Sequence, residues 1–442
     1  MSARDTICAL ASGQVPSAIA LVRVSGPAAV EIASRCLNKT LKPRAATLCR
    51  LIGTNKEQID EVVAVFYAAP ASFTGEDVLE LMLHGGRAVV EAALDAICEV
   101  DGVRLADAGE FTRRAVEAGK FDLIEAEAVA DLVEADTAAQ RTQALRQLNG
   151  VTSDQMDRWR QMLLEALALI EVTVDFPDEE DAPDFTTAPV KARLDSLQAE
   201  LSVALGDDNV GERIRDGFQV ALVGAPNVGK SSLLNRLAGR DAAIVTDVAG
   251  TTRDIIEVRL NLAGYLVILS DTAGLRETQD LIEQEGVRRA RDIAASADVV
   301  IHVRDGTLPE GDDALDGATR IIDVSNKSDL VSSPQNVSRE TLHLSAKTGN
   351  GIDDLLRVLE QELADLVAKT PSPLITRRRH RLALQAATSE IESAIEGLDG
   401  GLGSELVAEH VRQAAGELSQ LLGVIGIEDV LGEIFSAFCI GK

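Results

Sequence analysis

The sequence is poor in aromatic residues, in positive charge and in cysteine. Phe, Trp and Tyr make up 3% of its 442 residues, with one Trp and two Tyr. A platform that stacks the bases of single-stranded nucleic acid needs more aromatic faces than that. Lys and Arg number 43 against 71 Asp and Glu, a net charge of −28. This balance excludes a wholly basic nucleic-acid wrapper and simple adsorption to an anionic membrane. The five cysteines, Cys8, Cys36, Cys49, Cys98 and Cys439, form no Cys-x-x-Cys pair. Odd in number and without a secretory signal, they read as reduced thiols of a cytoplasmic protein. No run of about 18 residues is apolar and free of charge, so no membrane span is expected. What remains is an ordinary globular composition, 46% hydrophobic and 26% charged, long enough for two to four domains.

Four segments are distinguished by pattern. Residues 1–118 mix strand and helix signals. Ala18–Val24, Val62–Tyr67 and Val78–Leu83 are strand candidates, and Pro27–Leu37 and Ala88–Cys98 have helical spacing. Residues 119–215 read as long helices and carry much of the acidity. Ile124, Ala128, Leu132 and Ala135 fall on one helical face, as do Trp159, Leu163, Ala166 and Ile170. The acidic run Asp175–Asp184, broken by Pro177 and Pro183, reads as a solvated connection or a cation loop. Residues 216–372 alternate strands (Gln219–Val223, Leu266–Ser270, Val299–Val303, Arg320–Val324) with helices, the rhythm of a parallel sheet. Residues 373–442 return to helices at 377–399, 404–421 and 428–438. An α/β unit is thus inserted between two helical segments able to pack together.

The chemistry is carried by motifs inside the inserted unit. Gly224 to Ser231 reads Gly-Ala-Pro-Asn-Val-Gly-Lys-Ser, directly after a strand and before a helix. In that context its glycines let backbone N–H groups wrap a phosphate, and the helix N-terminus adds positive potential. Gly224, Asn227, Val228 and Gly229 form the cradle, Lys230 meets the terminal phosphates, and Ser231, followed by Ser232, holds Mg²⁺. Asn326-Lys327-Ser328-Asp329 follows another strand. Asp329 there can accept two hydrogen bonds from the N1–H and exocyclic amine of guanine, a pattern adenine does not offer. Ser345-Ala346-Lys347 lies downstream, in the order expected of a loop that backs the base. Together these favour GTP and GDP over adenine nucleotides. Asp271-Thr272-Ala273-Gly274 closes a strand, Asp271 reaching Mg²⁺ through water and the Gly274 N–H sensing the γ-phosphate. Thr252, within Gly250 to Asp254, is the candidate switch hydroxyl for Mg²⁺. The residue after Gly274 is Leu275, which cannot orient an attacking water. Glu277, Asp280, Glu283 and Glu285 are the acids available for that task, and the residues alone do not choose among them.

With these motifs placed, the chain resembles the MnmE (TrmE) family of tRNA-modification GTPases over essentially its whole length. The ending Phe438-Cys439-Ile440-Gly441-Lys442 is the distinctive feature, since the phosphate loop alone identifies only a superfamily. The resemblance implies an N-terminal α/β domain that binds tetrahydrofolate (1–118), a discontinuous helical domain (119–215 and 373–442) and an inserted Ras-like P-loop GTPase domain with a mostly parallel sheet (216–372). It implies a GTP hydrolase acting with the FAD-dependent MnmG protein. The pair installs an aminomethyl or carboxymethylaminomethyl group at C5 of the wobble uridine of certain tRNAs. It implies a methylene-tetrahydrofolate as one-carbon donor and, as the bound folate cofactor, 5,10-methylene- or 5-formyl-tetrahydrofolate. It implies a homodimer formed through the N-terminal domain. By position, Asn227, Thr246, Val248 and Thr251 match a K⁺ site, and Glu283 matches the residue that orients water. Arg23, Glu80, Lys120 and Lys442 match the folate site, and Cys439 matches the tail cysteine.

Two features are balanced between readings, and a third has the shape of an RNA-binding loop without its setting. Glu80 sits in an otherwise apolar strand, so it has either a partner or a place at a solvent-facing edge. Arg377-Arg378-Arg379-His380-Arg381 is the one dense basic cluster, either a tRNA surface or a solvated helix end. Gly397 to Gly400 has the Gly-x-x-Gly shape of an RNA-binding loop, though its surroundings are acidic and helical. The competing function is a ribosome-assembly or RNA-docking GTPase of the Era-like group.

Overall fold

The computed structural model describes residues 5–175, 187–240, 242–244, 257–271, 295–308, 320–331, 341–368, 370, 372–424 and 441. These fall into two compact units. One comprises residues 1–130, 148–160 and 415–442, the other 131–147 and 161–414.

The first unit is built on a six-stranded sheet of β1 (Thr6–Leu10), β2 (Ser17–Ser25), β3 (Thr47–Ile52), β4 (Gln58–Tyr67), β5 (Val78–Gly85) and β6 (Val103–Leu105). Its order is β3-β4-β5-β2-β1-β6, antiparallel throughout except where β6 joins β1. Helices α1 (Ala29–Cys36) and α2 (Arg87–Cys98) bury their apolar stripes in its core. The period-2 alternation is clear in β5. Leu79, Leu81 and Leu83 are buried among Val22, Val24, Ile32, Val90 and Ile97, while Glu80, Met82 and His84 take the opposite face. β5 lies between β4 and β2, so Glu80 is not at a sheet edge. The strand periodicity in the sequence is legible where strands are apolar. β1, β3 and β6 are additional, and they owe their pairing to tertiary partners rather than to a local pattern.

α3 (Glu110–Glu117) carries Arg114, 5% exposed. Its guanidinium donates to Asp5 Oδ1 at 2.8 Å, Glu110 Oε1 at 2.9 Å and the Asp5 carbonyl at 2.8 Å. A buried arginine is tolerated because these acceptors replace its hydration. α4 (Leu123–Glu134) buries Ile124 and Ala128, but its face runs out at Leu132, which is half-exposed.

The second unit holds a second six-stranded sheet made of β7 (Phe218–Val223), β8 (Glu257–Leu262), β9 (Tyr265–Asp271), β10 (Val299–Asp305), β11 (Ile321–Asn326) and β12 (Leu342–His343). Its order is β12-β11-β10-β7-β9-β8, parallel but for the β8–β9 hairpin. Val220, Leu222, Leu269, Ile301, Val303 and Val324 form its buried centre, covered by α9 (Lys230–Ala238) and α10 (Ile352–Ala368). The same unit contains α5 (Ala138–Leu148), α7 (Thr187–Leu205), α8 (Val210–Asp216), α11 (Arg378–Gly400) and the start of α12 (Ser404–Leu422). α7 and α11 run antiparallel, joined by Lys191–Asp399 and Gln198–Glu392. α6 (Val151–Asp175) buries Trp159, Leu163, Ala166 and Ile170, the face its spacing predicts. Most of the acidic run after Asp175, and the helix expected at 428–438, lie outside the described residues.

Three members of the basic cluster face inward, while Arg378 is exposed. The Arg377 Nη2 donates to Asp131 at 2.6 Å, beside the Arg215 Nε on the same carboxylate at 2.9 Å. Arg381 holds Asp207 at 2.7 Å and Glu212 at 2.9 Å, and His380 is fully buried. At Arg377, His380 and Arg381 neither a solvated helix end nor a free basic surface describes the arrangement. Gly397–Gly400 is the last turn of α11, with Gly397 packed on Leu402 and Val407, so it is not a loop at all.

Candidate functional site

In the second sheet the chain order switches sides at β7, between β9 and β10, and such a switch point is where parallel α/β sheets place ligands. β7 delivers the chain into the loop Gly224–Gly229, which opens α9 at Lys230. The loop needs its glycines. Gly224 has φ +151°, and a Cβ there would lie 2.0 Å from the Val303 carbonyl of β10. Gly229 has φ +102°, and its Cβ would lie 2.3 Å from Asn326 Nδ2. Asn227 adopts φ +65°, a conformation asparagine tolerates better than most residues.

Lys230 is 5% exposed and donates to the Gly224 and Ala225 carbonyls at 2.6 and 2.9 Å. Burial pushes its pKa down, with the Asp271 carboxylate pulling the other way. Its ammonium is therefore held against the backbone of the Gly224–Gly229 loop, where an oligophosphate bound by that loop would meet it. Ser231 Oγ donates to Asp271 Oδ2 at 2.7 Å. A hydroxyl and a buried carboxylate in contact at a helix N-terminus are the hard oxygen donors that Mg²⁺ takes.

Asn326 ties the two halves of the site together. Its Nδ2 donates to the Val228 carbonyl at 2.8 Å, and its Oδ1 accepts the Ala346 N–H at 3.0 Å. Lys327, at φ +64°, extends to Asp305 Oδ2 at 2.6 Å. Asp329 stands in a 3-10 turn (Ser328–Leu330) and accepts from Ser345 Oγ at 2.6 Å. The phosphate loop, the Asn-Lys-x-Asp turn and the Ser345–Lys347 loop are thus one connected network. Two of its members escape sequence reasoning. Asp305, the last residue of β10, pairs with Lys327, and Arg236 on α9 donates to the Ala346 carbonyl at 3.1 Å. Neither stands in a recognisable spacing, because their partners are 22 and 110 residues away. Thr246, Val248, Thr251, Thr252, Thr272, Ala273, Gly274 and Glu283 lie outside the described residues.

A cavity of about 380 Å³ in the same unit is not this site. Arg215 and Arg259 in its lining are paired with Asp131 and Asp136, so its charges largely satisfy one another.

In the first unit, Arg23 and Glu80 face each other in register across β2 and β5. Arg23 Nε and Nη2 both reach Glu80 Oε1, at 2.9 and 2.8 Å. The guanidinium lies 5.3 Å from the Phe73 ring centroid and 5.8 Å from that of Phe111. Phe121 packs on Phe73 at 5.5 Å, and the neighbouring Lys120 side chain lies against Gly75. Glu80 therefore has the partner its apolar setting calls for. Gly441, at φ +98°, is laid so closely on the end of β1 that a Cβ would sit 2.2 Å from the Leu10 carbonyl. Cys439 and Lys442 lie outside the described residues. Cys8, Cys36, Cys49 and Cys98 are free thiols, with Cys8 and Cys98 Sγ 3.5 Å apart. Burial holds the Cys8 thiol well above its ordinary pKa.

A Gly-x-x-x-x-Gly-Lys-Ser loop at the end of β7, an Asn-Lys-x-Asp turn at the end of β11 and the Ser345–Lys347 loop beside it, all on one mostly parallel sheet, are the layout of a P-loop GTPase. Residues 6–120 match the family described as the GTP-binding protein TrmE N-terminus, and residues 123–439 match the MnmE helical domain. A tRNA modification GTPase MnmE of Hyphomonas neptunium is 52% identical over 446 aligned residues, covering 100% of both chains. Its counterpart in Caulobacter vibrioides is 49% identical, covering 99% of this chain and 100% of that one. Among solved structures, an Aquifex aeolicus Era variant bound to GDP and AlF₄⁻ is 28% identical, with a TM-score of 0.27, over 33% of this chain and 56% of that one. The chain belongs to the MnmE family.

Proposed function

We propose that this protein hydrolyses GTP to drive modification of tRNA at the wobble uridine. The observation that carries the reading is the bridge from Val228 through Asn326 to Ala346. It makes phosphate recognition and guanine recognition one mechanical unit, in a chain that shares its full length with tRNA modification GTPases. Mg²⁺, held by Ser231 and Thr252, supplies charge neutralisation for the phosphates. Lys230 orients the terminal phosphates, and Asp329 reads the base. Asn227, Thr246, Val248 and Thr251 form a K⁺ site, and Glu283 orients the attacking water in place of Leu275.

The folate site comprises Arg23, Glu80, Lys120 and Lys442. The Arg23–Glu80 pair offers adjacent donor and acceptor edges beside the Phe73 ring, a combination suited to a flat heterocycle with both kinds of group. Gly441 at the end of β1 supports a path for the tail toward that sheet. The tail cysteine, Cys439, acts in the modification. The protein works as a homodimer with MnmG, which supplies much of the tRNA-binding surface. That division accords with a net charge of −28 and with a basic cluster whose members Arg377 and Arg381 are engaged internally. The four-domain division at 118, 215 and 372 follows the same reading.

The test is a strain lacking the gene, complemented with wild type, Glu283→Ala or Cys439→Ser. Wobble-uridine modification should return only with wild type, and Cys439→Ser should keep normal GTP hydrolysis. Hydrolysis should be faster in K⁺ than in Na⁺. Full modification in the deletion strain would refute the function, and equal rates in the two salts would remove the K⁺ site.

A further inference from the structure

The loop that backs the base is fastened from a direction the nucleotide motifs do not account for. Arg236 stands six residues beyond Lys230 on α9, the helix that the phosphate loop opens. Its Nε donates to the Ala346 carbonyl at 3.1 Å and its Nη2 to the Lys347 carbonyl. The Ala346 N–H is engaged on the other side by Asn326 Oδ1 at 3.0 Å, and the Thr348 N–H by Ser345 Oγ at 3.1 Å. Successive peptide groups of the loop are therefore pinned with known orientations.

That orientation has chemical content. In a trans peptide the carbonyl and the N–H point opposite ways. With its carbonyl drawn toward α9 by Arg236, the 346–347 peptide must direct the Lys347 N–H away from that helix. A purine with a 6-oxo group accepts from an N–H, whereas a 6-amino group needs a carbonyl. If the peptide can rotate, it can offer either. A planar guanidinium spanning two consecutive carbonyls resists the rotation, which the point charge of a lysine would not do equally well.

We infer that Arg236 is a positioning residue for base selectivity, holding the 346–347 peptide in the orientation that accepts guanine and rejects adenine. Because α9 begins at Lys230, the same helix anchors the phosphate end and the base end of the site. The inference rests on reading Ser345–Lys347 as the base-backing loop, and the experiment separates the two.

The measurement is GDP and ADP affinity by calorimetry on the full-length wild type, R236A, R236K and R240A, alongside each melting temperature. Arg240 also leaves α9, but it pairs with Asp353 and not with the loop. Wild type should prefer GDP strongly. R236A should lose about tenfold or more of its GDP-over-ADP preference, the scale of one charge-assisted hydrogen bond. R236K should fall between the two, and R240A should keep the wild-type ratio whatever its melting temperature. An unchanged ratio in R236A and R236K would overturn the role of Arg236, even with lowered stability. A wild type without preference for GDP would overturn the guanine-site reading and this inference with it.

Discussion

Replacing Gly229 by alanine probes the joint between the phosphate loop and the base-reading turn. The new methyl would lie 2.3 Å from Asn326 Nδ2, on a backbone held at φ +102°. Asn326 cannot swing aside cheaply, because its amide is engaged by Val228 and Ala346 and its side chain is buried. Holding a non-glycine residue at that φ costs about 1–3 kcal/mol, and losing the two Asn326 bonds costs roughly 0.5–1.5 kcal/mol each. The sum is about 2–6 kcal/mol. The free protein can escape it by letting the loop open, so the cost falls on nucleotide binding rather than on folding. GDP affinity should drop by roughly thirty-fold or more, with little change in the urea midpoint. Gly102→Ala is the control, since it adds a methyl at φ +77° with nothing within 4 Å. It should lower stability slightly and leave GDP affinity untouched. A folded Gly229→Ala protein that binds GDP within twofold of wild type would refute the cradle as described.

Asp329→Asn keeps an acceptor for Ser345 Oγ while removing the charge, so GDP affinity should fall by about 1.5–3 kcal/mol without disturbing the loop. An unchanged titration would show that Asp329 does not read the base. Arg381→Ala would leave Asp207 buried and stripped of its cation, costing about 3–5 kcal/mol by denaturant unfolding; a loss below about 1 kcal/mol would mean that the pair contributes nothing net. For Glu110, burial pushes the pKa up, but Arg104, the Asp107 N–H and Arg114 outweigh it and hold the carboxyl below its usual range. A depressed folded pKa gives stability that is present above the unfolded value of about 4.3 and is lost as pH falls through the folded one. Wild type should therefore melt above Glu110→Gln at neutral pH, and the gap should close in acid below about pH 4. A gap independent of pH would assign Glu110 a packing role instead.

The class of protein was readable from sequence because its motifs are local. Gly224 to Ser231 and Asn326 to Asp329 each act through backbone shape and neighbouring side chains, so a few consecutive residues specify them, and the apolar runs feeding them become β7 and β11. The helical face Trp159, Leu163, Ala166 and Ile170 was equally plain, since a 3.6-residue period is written into the chain itself. What only the tertiary structure decided is long-range pairing. β1 and β3 lack strong local signatures and exist because β2 and β4 lie beside them. Glu80 looked ambiguous until β5 proved internal to its sheet and Arg23, 57 residues away, proved to be its partner. The arginines at 377 and 381 read equally as a tRNA surface or a solvated helix end until Asp131 and Asp207, 246 and 174 residues earlier, were placed against them. A charge written in the sequence has a sign but no partner. Its role is settled by which opposite charge the fold brings within hydrogen-bonding distance, because only there does pairing offset the loss of water.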